Sequence, residues 1–472
     1  MADRDADASA SASLSFFTRM LKRFLLIAFA LFSIAEFAVR SRAAVSDPAK
    51  RAAVIRLGER LFRDERFSTS RGDLPASCSH CHLLDEDPQG LRAYADFFNR
   101  SWVSSRAQDR RRLELRNSPT ILDAGEMPRL HFDGEFASLE DLVKGTLSGR
   151  PMGWLPGEEA EAFERVREVL LADAGRGGAR PYREQFRQAF GVDLAKTNRD
   201  QAVDHVARAI ADYMRTLRSR RDAPYDKFLA ANRLDAAPAA KEKGADYGRR
   251  LLREIAARES SRSLKLTAGF DGAALQGMKL FFTTEGPGPA GNCVACHTPP
   301  LFTDQAFHNL GVSQREYDAV HGEGRFAALS IPSAAEARRP APQYREIPST
   351  AQPGQADLGH WNFADPKASP QRRADETDER FLQRMIGAFK TPTLRNLRYT
   401  YPYFHDGSVH SLRDLLSEMI WLSETARAGK IREADEELAR IRLTDSEIDP
   451  LGAFLNALNE DLKRPPATAR RR

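Results

Sequence analysis

Cys78-Ser79-His80-Cys81-His82 and Cys293-Val294-Ala295-Cys296-His297 are two copies of one pattern, C-x-x-C-H, and together they hold all four cysteines of the 472-residue chain. Two thiols three positions apart on one helical turn can both add to haem vinyl groups. The histidine that follows then presents its ring to the iron as proximal ligand. Two copies with no cysteine left over predict two covalently bound c-type haems, with His82 and His297 on the irons. Zinc is the competing reading of paired C-x-x-C, but zinc sites bring their pairs within tens of residues, and here 215 positions separate them. A disulfide or redox C-x-x-C does not call for the histidine.

The surroundings of the two motifs also recur. Before each lies Gly-x-x-Leu-Phe, at Gly58 to Phe62 and Gly277 to Phe281, and after each lies Ser118-Pro119-Thr120 or Thr391-Pro392-Thr393. Fifteen positions beyond Ser118 comes Asp133-Gly134, and fifteen beyond Thr391 comes Asp406-Gly407; Ser138-Leu139-Glu140-Asp141-Leu142 and Ser411-Leu412-Arg413-Asp414-Leu415 follow. Order and offset shared over several segments predict a mainly α protein. It would consist of two cytochrome c-like haem domains related by internal duplication, with long loop insertions. The expected boundaries are 44–235 for the N-terminal haem domain and 264–464 for the C-terminal one. Apolar spacing predicts helices over Glu159 to Ala172 and Gln201 to Leu217, and a closing helix over Asp445 to Leu462. The charged, alanine-rich stretch 236–263 reads as a linker, Ser330 to Arg380 as an insertion without periodicity, and 465–472 as a basic tail.

The residue on the second axial position decides whether a haem carries electrons or meets a substrate. Met419 stands thirteen positions after Asp406 on the helix beyond the turn, whereas thirteen after Asp133 stands Thr146. Threonine is a poor haem ligand. The expectation is a His297/Met419 haem of raised potential and a His82 haem that is open on its far side. Met127 and Met152 are the alternatives that would close it.

Lys22 and Arg23 precede the apolar run Phe24 to Phe32, with small residues near Ala43, which predicts that 1–43 is an export signal and the periplasm the address. An uncleaved inner-membrane anchor is the other reading. Export suits thiols that must stay unpaired until haem is attached. A net charge of +5 with 29% charged residues is mild, and Arg110-Arg111-Arg112 and Arg470-Arg471-Arg472 read as solvated surface, so no nucleic-acid site is expected.

Several strings resemble the bacterial di-haem cytochrome c peroxidases and their MauG-type relatives. They are Gly58-Glu59-Arg60-Leu61-Phe62, Arg116-Asn117-Ser118-Pro119-Thr120, Phe302-Thr303-Asp304, Phe307-His308-Asn309-Leu310-Gly311, Phe389 to Asn396, and Tyr401-Pro402-Tyr403-Phe404-His405-Asp406-Gly407. The resemblance implies that the N-terminal haem meets hydrogen peroxide. The C-terminal one, capped by a Met at the position of Met419, would relay electrons from a small cytochrome c or cupredoxin. It also implies a calcium ion between the domains, on Asn117, Thr400 and Pro402, and a homodimer in many members. Departures matter too. The family's acid-base Glu and Gln are replaced by Pro151 and Leu142, its inter-haem tryptophan by Phe132, and no His lies between His82 and His131. His131 and Glu135 are the candidate replacements. The readings in competition are a peroxidase, a MauG-like oxidase of a partner protein or organic substrate, and a non-catalytic electron carrier.

Overall fold

Polar caps and apolar stripes set the helices. In the computed structural model, which describes residues 47–70, 75–86, 92–96, 115–175 and 177–461, the Asp47 side chain accepts from the Ala49 amide. That cap starts α1 (Pro48–Phe62), which buries Val54, Leu57, Gly58, Leu61 and Phe62. The further helices of seven residues or more are α2 (Leu139–Leu147), α3 (Glu159–Ala172), α4 (Tyr182–Phe190), α5 (Arg199–Met214), α6 (Pro224–Ala231), α7 (Gly244–Ser260), α8 (Gly272–Phe282), α9 (Val312–His321), α10 (Asp378–Arg384), α11 (Leu412–Arg427) and α12 (Ile448–Asn456). Two antiparallel strand pairs complete the described elements, β1 (His82–Glu86) with β2 (Arg92–Asp96) and β3 (Phe307–Asn309) with β4 (Ala388–Lys390). The protein is mainly helical, as its sequence predicts. The N-terminal 43 residues and the basic tail lie outside the described residues, among which no helix is long and apolar enough to cross a membrane.

One core is built from α1 to α5, with Leu57, Phe62, Val166, Phe186 and Ile210 in it; a second is built from α6, α7, α8, α11 and α12 around Phe270, Phe281, Phe282 and Phe454. Each core is closed by a helix pair that meets at a glycine. A Cβ on Gly58 would stand 1.9 Å from the Ala209 carbonyl oxygen of α5, and one on Gly277 would stand 1.8 Å from that of Pro450 in α12. Backbone conformation recurs as well. Asp123 and Asn396, His131 and Phe404, and Gly134 and Gly407 all have left-handed φ, and the members of each pair are 273 positions apart. Ser138 and Ser411, at that same spacing, cap α2 and α11 by accepting from the amides of Asp141 and Asp414, both at 3.1 Å.

Three expectations are corrected. The stretch 236–263 is no loop, because α7 occupies most of it and buries Tyr247, Gly248, Leu251 and Ile255, spaced along one face among charges that mask the pattern. Gly248 lies 3.0 Å, at its would-be Cβ, from the Phe282 carbonyl, so α7 belongs to the C-terminal core. The closing helix is shorter than expected, a 3-10 turn at Asp445–Glu447 followed by Ile448–Asn456. The segment 330–380 is largely irregular but not peripheral: Tyr344, Leu358 and Trp361 are buried in a third apolar cluster with Phe307 and Tyr317.

Gly277→Ala is expected to cost about 3 kcal/mol or more, since backbone rather than a flexible side chain must move. Gly452→Ala, in α12 with open space at its Cβ, should instead gain roughly 0.5–1 kcal/mol from helix propensity. Chemical denaturation of the two variants checks the contrast.

Candidate haem sites

In the C-terminal half the motif follows α8 through Asn292, whose φ of 51° turns the chain into the short Cys293–Ala295 turn. The His297 amide donates to the Cys293 carbonyl at 2.8 Å. His297 Nδ1 lies 2.9 Å from the Phe302 carbonyl oxygen, so this nitrogen carries the proton and Nε2 keeps the lone pair a metal needs. Burial holds the ring neutral by lowering its pKa. A cavity of about 270 Å³ is lined by Cys293, Cys296, His297 and, from α11, Leu415, Leu416 and Met419. The string beginning at Phe389 fastens its wall. Thr393 Oγ1 donates to the Leu301 carbonyl at 2.6 Å, and Arg395, 1% exposed at its side chain, makes a two-toothed pair with Asp226 at 2.6 and 2.8 Å.

In the N-terminal half Ser77 leads into the single turn Cys78–Cys81. A larger cavity, about 670 Å³, is lined by Cys78, Cys81 and His82 with Phe62, Ile210, Met214 and Thr146. None of the four cysteines is in a disulfide, and burial and the neighbouring thiol push the thiols of Cys78 and Cys293 up to about 12. Each C-x-x-C-H therefore opens on its own cavity, which fits a haem apiece and removes the zinc reading, because the two pairs do not converge. Thr146 Oγ1 donates to the Leu142 carbonyl at 3.0 Å, so that hydroxyl serves its own helix. Met127 and Met152 also line the first cavity.

The cavities share a wall. Asn117, Ser118, Pro119, Phe132, His131 and Lys390 line both. Lys390 joins its two sides: its amide donates to the Phe132 carbonyl and its ammonium to that of Arg129, each at 2.7 Å. Burial pushes this lysine down to about 8. Arg116, next to the wall, is clamped by Asp357 at 2.6 Å through two of its nitrogens and also pairs with Asp133. Asn117 donates from Nδ2 to the Pro402 carbonyl and from its amide to that of His405, both at 2.7 Å, whereas its Oδ1 is buried without a hydrogen-bond partner among the described residues. An orphaned amide oxygen beside the Pro402 carbonyl, with Thr400 on the same cavity, is a donor set of the hard-oxygen kind that calcium takes.

His131 and Glu135 come together: Nδ1 and Oε2 are 3.3 Å apart, and Arg345 Nη2 donates to that same Oε2 at 2.9 Å. Burial opposes the charge on Glu135, but His131 and Arg345 outweigh it and hold the carboxyl below its ordinary value. All three line the first cavity. Sequence reasoning missed Arg345, Asp357 and His360, whose Nδ1 donates to the Asp133 carbonyl at 2.7 Å while its ring stacks on Phe307 at 3.5 Å. They sit in the segment set aside as an insertion. The signal was there in His360-Trp361 and Tyr344, residues too costly to leave in a solvated loop.

A family described as di-haem cytochrome c peroxidase matches residues 52–233, the part that carries the His82 motif. That stretch matches the di-haem cytochrome c peroxidase family, and the chain as a whole is similar to cytochrome-c peroxidases and MauG proteins. It is 26% identical over 412 residues to cytochrome-c peroxidase IdrP1 of Denitromonas iodatirespirans, covering 86% of this chain and 81% of the relative. It is 24% identical over 407 residues to the methylamine utilization protein MauG of Methylophilus methylotrophus, covering 85% and 81%. The fold is shared with the crystal structure of the diheme peroxidase BthA from Burkholderia thailandensis, with a TM-score of 0.53, 18% identity and 89% of each chain covered. The likeness to named cytochrome-c peroxidases makes the chain an oxidoreductase, and the matched family is a di-haem one. Pro151 and Leu142, the two positions at which the sequence departs from the expected acid-base pair, both line the first cavity.

Asp357 has its carboxyl held low: burial would raise it, but the Arg116 charge and its hydrogen bonds prevail. The pair's contribution is thus complete above the ordinary carboxylate pKa and disappears as pH falls towards the lowered native value. Asp357→Asn is expected to cost about 3–5 kcal/mol at neutral pH, because it leaves a buried guanidinium short of charge. It should also flatten the acid limb of stability, which thermal melts across pH would show.

Proposed function

We infer that this protein is a di-haem peroxidase that reduces hydrogen peroxide to water in the first cavity, drawing electrons singly through the second. The observation that carries it is the inequality of the two sites: Met419 lines the second cavity, and its counterpart in the first is Thr146, already bonded to its own helix. When bound, the haems supply the electron transfer and the iron at which the peroxide bond is broken. His82 and His297 would hold the irons, and Met419 would close the second. Phe132 and Lys390, in the wall between, keep the two cavities adjacent. The donor on this reading is a small cytochrome c or cupredoxin, and the location is the periplasm, with 1–43 as the export signal.

Two haem domains related by duplication are part of the same reading, supported by the recurrent glycine contacts, the left-handed positions 273 apart and the paired serine caps. Because α6 and α7 both pack on the C-terminal core, the boundary on this reading falls between Leu217 and Tyr225, ahead of the expected 235. Calcium on Asn117, Thr400 and Pro402 is supported by the orphaned Asn117 oxygen.

The oxidised spectrum is the first test. One high-spin and one low-spin haem are expected, and two low-spin haems, with Met127 or Met152 on the first iron, would leave only an electron carrier. Met419→Ala should remove the sulfur-ligated, high-potential haem and slow turnover with a reduced donor, and normal turnover would refute the relay. Peroxide consumption that needs a partner protein in place of a reduced cytochrome would select the oxidase. Chelation of calcium should lower turnover, and Asn117→Ala should mimic it with haem content unchanged.

A further inference from the structure

The half of the chain whose axial position holds threonine is also the half with titratable side chains around its Asp-Gly turn. His131 matches Phe404 and Glu135 matches Ser408, each 273 positions on. His131 and Phe404 have nearly the same left-handed φ, 62° and 64°, so the turn itself demands that backbone and the choice of histidine is separate from it. Glu135 is anionic and can only accept, so the His131 nitrogen facing it, Nδ1, must carry the proton. That leaves Nε2 as the basic atom of a ring that is part of the cavity wall. Arg345 brings two features: Nη2 on Glu135, and an Nε that is buried with no hydrogen-bond partner among the described residues although the residue lines the same cavity. A buried donor without an acceptor costs about 1–3 kcal/mol, and an oxygen in the cavity would relieve it.

We propose that His131, Glu135 and Arg345 act as one acid-base unit for peroxide cleavage in the first cavity, with His131 moving the proton, Glu135 holding the ring, and Arg345 donating to the departing oxygen. This rests on the peroxidase reading above. Hydrogen peroxide takes up two electrons and two protons to give two waters. Nε2 accepts the proton of one peroxide oxygen and passes it to the other as the O–O bond breaks, so the departing oxygen leaves as water and not hydroxide. The remaining oxygen becomes the second water with two protons from solvent, and both electrons come from the reduced donor. Glu135 and Arg345 on this account are a positioning residue and a hydrogen-bond donor, and Arg345 reaches the N-terminal site from the C-terminal half of the chain.

The test compares the holoenzyme with His131→Gln, His131→Phe, Glu135→Gln, Arg345→Met and Arg345→Lys, each checked for haem content and melting temperature. Two rates are read, peroxide turnover and the association of cyanide with the ferric protein. Cyanide enters as HCN and must give up its proton to bind, so its rate reports the base without any electron donor. His131→Gln and His131→Phe should each lower both rates by about 100-fold or more. His131→Phe repeats the side chain that the second half already holds in this backbone, so a fold defect is not expected to obscure it. Glu135→Gln should lower both rates roughly 10-fold by freeing the ring, and Arg345→Lys should recover part of what Arg345→Met loses. His131 variants with both rates within about a factor of three of the parent would overturn the proposal. Loss of haem in Arg345→Met with unchanged rates per haem would assign the guanidinium to a haem carboxylate and remove it from the unit. A parent protein that binds cyanide but consumes no peroxide would defeat the peroxidase reading, and the cyanide series would then still decide whether His131 is the base.

Discussion

The guanidinium of Arg116 is the point on which the two halves are hung together. Its side chain is 10% exposed, and the carboxylates of Asp133 and Asp357 that grip it are fully buried. Charges taken that far from water return little net stability even when paired, so what the cluster provides is placement. Asp133 belongs to the Asp-Gly turn of the first half, Asp357 to the long segment of the second, and Arg116 to the strand of chain that leads into the shared wall. With Arg116 held, the next residue, Asn117, is delivered to the carbonyls of Pro402 and His405. The Arg116 guanidinium also lies over the Phe389 ring, itself stacked on His405 at 3.5 Å. One ion cluster thereby sets the turn beside the first cavity, the oxygen cage between the halves, and the start of the string that walls the second cavity.

That placement has an electronic consequence. A phenyl ring, Phe132, stands in the wall where relatives of this sequence pattern have an indole, and a phenyl ring is much harder to oxidise. On the peroxidase reading, electrons crossing this wall would therefore pass by proximity and not by residing on a side chain. The lysine beside it, bonded at both its amide and its ammonium to carbonyls of the Arg129 to Phe132 segment, keeps that segment against the second cavity and holds positive charge near the crossing point.

The two C-x-x-C-H motifs stand out in the sequence because covalent haem attachment would dictate a local spacing, and the helices Glu159 to Ala172 and Gln201 onward were legible because one face of each is apolar at helical period. Ser138 and Ser411 could be read as helix starts for the same local reason. α7 was lost because its buried residues, Tyr247, Leu251 and Ile255, are too sparse among arginines and glutamates to stand out. Asp357, His360 and Arg345 were lost for a different reason: their partners lie 210 to 241 positions away, and no local pattern encodes a contact of that range. His131 and Glu135 were found as candidates by position, yet only the fold shows that they share a carboxylate oxygen with an arginine.

The extra length of the second half explains where that arginine comes from. From the haem histidine to the Pro-Thr string the first half uses 36 residues and the second 94, and the surplus folds back over the first cavity, contributing Pro340, Pro342, Arg345 and Glu346 to its lining. On the duplication reading, a repeated unit by itself would offer two equal electron carriers, since matched turns and caps frame both cavities. On the peroxidase reading, inequality enters in two steps, first as side-chain changes at matched positions, Met419 against Thr146 and Phe404 against His131. The second step is a segment of one half laid across the other. The reactive site is then a product of both halves, which accounts for charge pairs buried between them that stability alone would not have required.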